Sequence, residues 1–304
     1  MIINICLSIA AALVLSPLLG GIINKTKAFY AGRKGSPVLQ LYFDLFKLFR
    51  KESVISTSAT FIFQAAPAII FTSTLAATIF VPFIPGLPAP SFTCDFILLF
   101  YLLGLSRFFL IISALDTGSS FEGMGASREA FFSALAEPVT FVTILTMLRL
   151  GGGTSIQAAF RGLSSESWII IILTAVPFFI VMLAENARIP FDDPNTHLEL
   201  TMIHEVMLLD NSGANLALME WAASIKLWLF SLIIVKILLP AEILTPAAYT
   251  GLTILAVPAV AVITGTVESV MARASLLKVP QLLFSAGIIA FLGFFLSLNQ
   301  FLGW

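Results

Sequence analysis

A chain of 304 residues that is 59% hydrophobic and only 11% charged, with a mean hydropathy of +1.01, is no soluble domain, which carries about a quarter charged residues. A formal net charge of −1 without any basic face excludes nucleic acid as a partner. The two cysteines, Cys6 and Cys94, are far apart and beside apolar segments, so the chain offers neither a CxxC metal site nor ligands for an iron–sulfur cluster. Any redox cofactor belongs to a partner.

A helix needs about 20 mostly apolar residues to cross the hydrocarbon core. The sequence holds eight such stretches, near 3–24, 60–85, 95–115, 129–150, 167–186, 222–241, 246–269 and 279–302. The expected fold class is an all-α polytopic membrane protein, a single membrane domain over 1–304. The first stretch lacks a basic n-region and an A-x-A site and reads as a retained span.

A basic loop over 25–58 follows, with Lys25, Lys27, Arg33, Lys34, Lys47, Arg50 and Lys51, seven of the sixteen basic residues. Most of these lysines read as a positive-inside anchor. Leu39, Tyr42, Phe43, Phe46 and Phe49 interleave with Asp44, Lys47 and Arg50, which suits an amphipathic helix along the interface. Arg128, Arg188, Arg273 and Lys278 fall in later loops of the same face, whereas the opposite loops hold mainly Arg161 with Asp95, Glu166 and Glu242. The excess of positive charge places the first face, with an acidic loop over 187–221, in the cytoplasm and both chain ends outside.

The connection at 116–128 reads as a polar turn in which Ser127 caps a helix beginning near Arg128. Glu129 then lies near the mouth and Glu137 more than two turns deeper, an intramembrane carboxylate. In the later spans Lys226 and Lys236 are expected to snorkel, and Glu268 to pair with Arg273.

Charge concentrates at the end of the fifth span, in Glu185, Arg188, Asp192, Asp193, His197, Glu199, His204 and Glu205. Beside a bilayer such a cluster costs free energy, which points to function. Glu185 and Arg188, three apart, share a face if the helix continues. The carboxylates and both histidines of the protein are candidates for a proton relay. The spacing lacks the H-E-x-x-H of a zinc helix, so no metal site is assigned. The chain carries no nucleophile with a base at usable spacing, no P-loop and no GxGxxG, so it is not expected to be catalytic on its own.

Four stretches carry a family resemblance. GRKGSPVLQLYFDLFKLFRKE at 32–52, LDTGSSFEGMGASREAFFSALAEP at 115–138, ENARIPFDDPNTHLEL at 185–200 and ESVMARASLLKVPQLL at 268–283 resemble subunit 1, the H subunit, of respiratory complex I. They resemble more closely its counterpart in the group 4 membrane-bound [NiFe] hydrogenases of formate hydrogenlyase or Ech type. Glu185, Arg188, Pro190, Phe191, Asp192, Pro194 and Glu199 match the complex I pattern, while Ser36-Pro37, Asn195 and His197 depart from it.

The resemblance implies a membrane-anchoring, ion-coupling subunit in a prokaryotic cytoplasmic membrane. Its implied partners are a hydrogenase-like large subunit, a small iron–sulfur subunit and antiporter-like membrane subunits, with the [NiFe] centre and iron–sulfur clusters held by the partners. Glu137, Glu185, Asp192, Glu199, His197, His204 and Glu205 would form the relay. Arg33, Arg128, Arg188, Arg273 and Asp193 would be charge partners at the junction with the cytoplasmic redox arm. The alternative within the family is a quinone-site subunit of a complex I-type NADH or ferredoxin dehydrogenase. A self-contained ion transporter or a passive scaffold is the reading from another class, against which stands the lack of a visible inverted repeat.

Overall fold

In hydrocarbon no water is available to backbone amides, so an apolar run must satisfy its own peptide groups, which a helix does within one segment. The computed structural model describes residues 2–56, 59–84, 90–160, 168–192, 202–239 and 245–302. Among them, eight helices are long and apolar enough to cross a membrane: α1 (Ile2–Tyr30), α3 (Phe61–Ala77, extended by a 3-10 turn to Phe80), α4 (Asp95–Asp116), α5 (Ser120–Leu150), α7 (Trp168–Glu185), α8 (Gly213–Leu238), α9 (Pro246–Val270) and α10 (Lys278–Leu302). Between them lie α2 (Gln40–Phe49), the single-turn α6 (Ile156–Ala159) and a 3-10 turn, Glu205–Leu208. This is the expected all-α, multi-pass architecture.

The bundle is built around α8. Every residue from Leu227 to Ile237 is buried, as a helix that is apolar on all sides must be. α1, α2, α3, α7 and α9 pack on it, α5 packs on α4, α7 and α10, and α3 packs on α4. α2 turns Leu45 inward and leaves Leu39, Phe43, Phe46 and Phe49 exposed, and the Arg50 guanidinium lies over the Phe46 ring at 4.1 Å. That is the expected amphipathic helix, tied to α1 where the Tyr42 hydroxyl donates to the Val14 carbonyl.

Among the helix ends that differ from the sequence expectation, three bear on the site. α5 begins at Ser120 rather than near Arg128, because Gly118 at φ +72° and the Thr117 hydroxyl bonded to the Glu122 carboxylate close the turn from α4 in three residues. Ser127 therefore does not cap a helix; its hydroxyl donates to the Met124 carbonyl within one, at 2.9 Å. α8 begins at Gly213, nine residues before the expected 222, with a backbone φ of +56°. α7 stops at Glu185, so Glu185 and Arg188 do not share a helix face.

Candidate ion-coupling site

The end of α7 sets the site. Ala187 takes a left-handed φ of 48°, its amide donates to the Ala184 carbonyl at 3.2 Å, and the Arg188 amide donates to Leu183 at 2.9 Å. These two bonds form a Schellman termination with alanine where glycine is usual. The chain then leaves the helix axis, and Glu185 and Arg188 go to different partners.

Glu185 is almost fully buried and is held by two cations from two other helices. The Arg107 Nη2 of α4 lies 2.6 Å from its Oε1, and the Lys226 Nζ of α8 lies 2.7 Å from its Oε2. The other guanidinium arm of Arg107 pairs with Glu137 of α5. A charged line, Glu137–Arg107–Glu185–Lys226, thus crosses α5, α4, α7 and α8. At its outer end the Glu137 side chain is 56% exposed, whereas that of Arg107 is 10% exposed. Glu137 opens into a groove of about 920 Å3 walled by Phe100, Tyr101, Phe108 and Phe141 of α4 and α5. Glu137 lies eight residues beyond Glu129 on α5, and the two differ in burial: Glu129 is buried within the bundle and Glu137 is exposed.

At the inner end, a small, largely buried cavity of about 40 Å3 is lined by Arg107, Glu129, Glu185, His204 and Lys226 among other residues. Glu129 accepts from the Ser133 hydroxyl at a long 3.4 Å. The segment bearing His204 is held in place by Asp192, whose Oδ2 accepts from the amides of Ile203 at 2.9 Å and His204 at 3.1 Å. The Asp192 Oδ1 pairs with Arg273 at 3.2 Å. Burial, and then the charges of Lys226 and Arg188, hold the His204 imidazole down at about 4, below its usual 6.5. It is neutral at neutral pH. Glu205 lines a larger open cavity of about 740 Å3, which also meets Asp44, Arg188, Asp192 and Glu220.

The remaining charges serve the same end of the bundle. Glu268 of α9 pairs with Lys27 of α1 at 2.8 Å and with Arg188 at 3.6 Å, so the expected Glu268–Arg273 pair does not form. Arg128 donates to the Met202 carbonyl at 3.1 Å and fixes the turn before His204. Arg33 is exposed. Asp193, His197 and Glu199 lie outside the described residues. Arg107 has no part in the sequence expectation, and Lys226, expected to snorkel, instead pairs with Glu185. A single arginine in the middle of an apolar run was the signal for the first. Lys236, also expected to snorkel, is buried with its ammonium 5.4 Å from the ring centres of both Phe160 and Tyr249.

Residues 3–298 match the NADH dehydrogenase family. The chain belongs to that family. It is 31% identical to hydrogenase-4 component C of Escherichia coli over 96% of this chain and 92% of the relative. It is also 31% identical to formate hydrogenlyase subunit 4 of Escherichia coli over 92% of this chain and 93% of the relative. Similarity to NADH-ubiquinone oxidoreductase chain 1 of Triticum aestivum, at 31% identity, covers 60% of this chain and 58% of that one. Among solved structures, a chain of the membrane-bound sulfane sulfur reductase, an archaeal respiratory membrane complex, superposes with a TM-score of 0.82 at 20% identity, covering 97% of this chain and 99% of that one. That likeness establishes a shared fold.

Proposed function

We propose that this chain is the membrane-anchoring and ion-coupling subunit of an energy-converting [NiFe] hydrogenase. It links a redox arm on the cytoplasmic side to H+ or Na+ translocation. The observation that carries this reading is the line Glu137–Arg107–Glu185–Lys226, which joins an outward-facing intramembrane carboxylate to a buried polar cavity. Intramembrane charges are expensive and are kept where ions or protons move. The full-length similarity to a hydrogenase-4 component and a formate hydrogenlyase subunit supports the hydrogenase assignment.

The [NiFe] centre and iron–sulfur clusters belong to the large and small subunits of the arm, and antiporter-like subunits face the Glu137 groove. Lys27, Arg188 and Arg273 gather at one end of the bundle through their bonds to Glu268 and Asp192. The positive-inside rule supports placing that end in the cytoplasm of a prokaryote, with both termini outside.

The test is purification of the complex through this chain, with a [NiFe] large subunit expected among its partners. Glu137→Gln is expected to keep hydrogen turnover and lose gradient formation. Full coupling in that variant refutes the coupling role, and co-purification with a quinone-reducing arm refutes the hydrogenase. The 740 Å3 cavity between α1, α2 and α8 favours the second reading, a quinone-site subunit. Under it, quinone-site inhibitors block turnover.

A further inference from the structure

The smaller and the open cavity share a wall. His204, Asn186, Leu208 and Ala223 line both, so the imidazole stands in the partition between the charged interior and the open space. The smaller cavity, at about 40 Å3, has room for roughly three or four waters, each needing about 10–15 Å3. Two carboxylates face it, and their situations differ. Glu185 is clamped by Arg107 at 2.6 Å and Lys226 at 2.7 Å, so protonating it breaks two ion pairs. Glu129 makes no ion pair among the described residues and has one long contact, 3.4 Å from the Ser133 hydroxyl. Protonating Glu129 breaks no ion pair among the described residues and removes a buried charge.

The charged groups around the imidazole are Lys226 of α8, Arg188 and Asp192 after α7, and Glu205 beside it in the chain. Across the smaller cavity stand Arg107 of α4, Glu129 of α5 and Glu185 of α7. Asp192 fixes the His204 main chain through its amide, and among the described residues no hydrogen bond to either ring nitrogen is found.

We propose that His204 and Glu129 are the proton-transfer pair of this chain, with His204 passing a proton from the open cavity through the partition to Glu129, and Glu185 serving as a fixed counter-ion. The assignment rests on the coupling role proposed above. One imidazole nitrogen accepts a proton from hydronium in the open cavity. The N–H on the other nitrogen gives its proton through a cavity water to Glu129. One N–H bond forms and one breaks, the imidazole ends as the other tautomer, and Glu129 passes from carboxylate to carboxylic acid. No electrons move, and reorientation of the ring restores the starting tautomer.

The test uses the whole complex, purified through a tag on this chain, reconstituted in liposomes with a potential-sensitive dye and driven by reduced methyl viologen. Glu129→Gln and His204→Gln are each expected to lower the potential formed per turnover by about a hundredfold or more, the low end of what a positioned proton-transfer group contributes, with hydrogen evolution retained. Combining them is expected to add nothing further. In infrared spectra, a carboxylic-acid C=O band is expected to vanish in Glu129→Gln, shift in Glu129→Asp, and exchange with D2O more slowly in His204→Gln. If Glu129→Gln does not assemble, the band in Glu129→Asp decides the question. Coupling kept in Glu129→Gln and His204→Gln but lost in Glu137→Gln overturns this pair and leaves the coupling role standing. Coupling kept in all three variants overturns both, and a band unmoved by either Glu129 substitution overturns the pair.

Discussion

At the residue scale, the site depends on how two cations are shared among its acids. Removing one partner from a buried ion pair leaves an uncompensated charge and costs about 3–5 kcal/mol. Lys226 sits 2.7 Å from Glu185, which keeps Arg107 at 2.6 Å when Lys226 is lost, so the lower end of that range applies. Lys226→Met is therefore expected to destabilise the protein by about 3 kcal/mol. The double variant Lys226→Met with Glu185→Gln should recover part of that loss, since no charge is then stranded beside the methionine. Thermal unfolding in detergent measures both. A snorkelling lysine, as the sequence alone suggests, predicts no loss for Lys226→Met and no recovery in the double variant. The sequence shows Lys226 near the start of a span, where snorkelling is the common outcome. It does not show that α8 is the central helix, and the centre of the bundle is where a lysine must find an acid.

At the element scale, what was legible was apolar length, and what was not was how helices stop. All eight spans follow from runs of about 20 apolar residues. The end of α7 was invisible because the Schellman turn has Ala187 in its left-handed position rather than the glycine that marks most such ends. The start of α5 was hidden in the same way, since LDTGSSFEG looks like a loop until the bond between Thr117 and Glu122 closes it. These two ends decide which of the acids are buried and which face outward. The contact between α5 and the segment carrying His204 is equally close. A Cβ on Gly125 would come within 2.3 Å of Val206 Cγ1 and 2.9 Å of the Ile203 carbonyl oxygen. Gly125→Ala must push the Ile203–Val206 segment away, at the usual overpacking cost of about 1–3 kcal/mol. Because that segment carries His204, coupling should weaken along with stability. Wild-type unfolding temperature and wild-type gradient formation in Gly125→Ala would show that the close packing does not position His204.

At the scale of the whole molecule, the two flanks of the bundle differ. On α9 and α10 the exposed side chains such as Leu255, Phe284, Ile288 and Phe291 are apolar, which suits lipid. The α4–α5 flank is also aromatic, but it carries the Glu137 carboxylate, 56% exposed in the isolated chain. A charge facing hydrocarbon is costly, and charged side chains in spans face the protein interior or a water-filled space. We therefore expect protein rather than lipid to cover the groove over Glu137 in an assembled complex. Family membership alone does not single out a flank; the exposure of Glu137 against the burial of Glu129 and Glu185 is the reason for this expectation. The prediction is a contrast between two positions of similar exposure. Tyr101 on the groove is 73% exposed and Leu255 on α9 is 71% exposed. With benzoylphenylalanine at Tyr101, irradiation of membranes should link this chain to an antiporter-like subunit, whereas the same probe at Leu255 should give lipid adducts. Protein cross-links at Leu255 with lipid adducts at Tyr101 would put the partner on the opposite flank and detach Glu137 from any path out of this chain. If instead the Tyr101 cross-link forms in wild type and persists in Glu137→Gln, the aromatic walls of the groove hold the partner, and Glu137 is left to act on the ion.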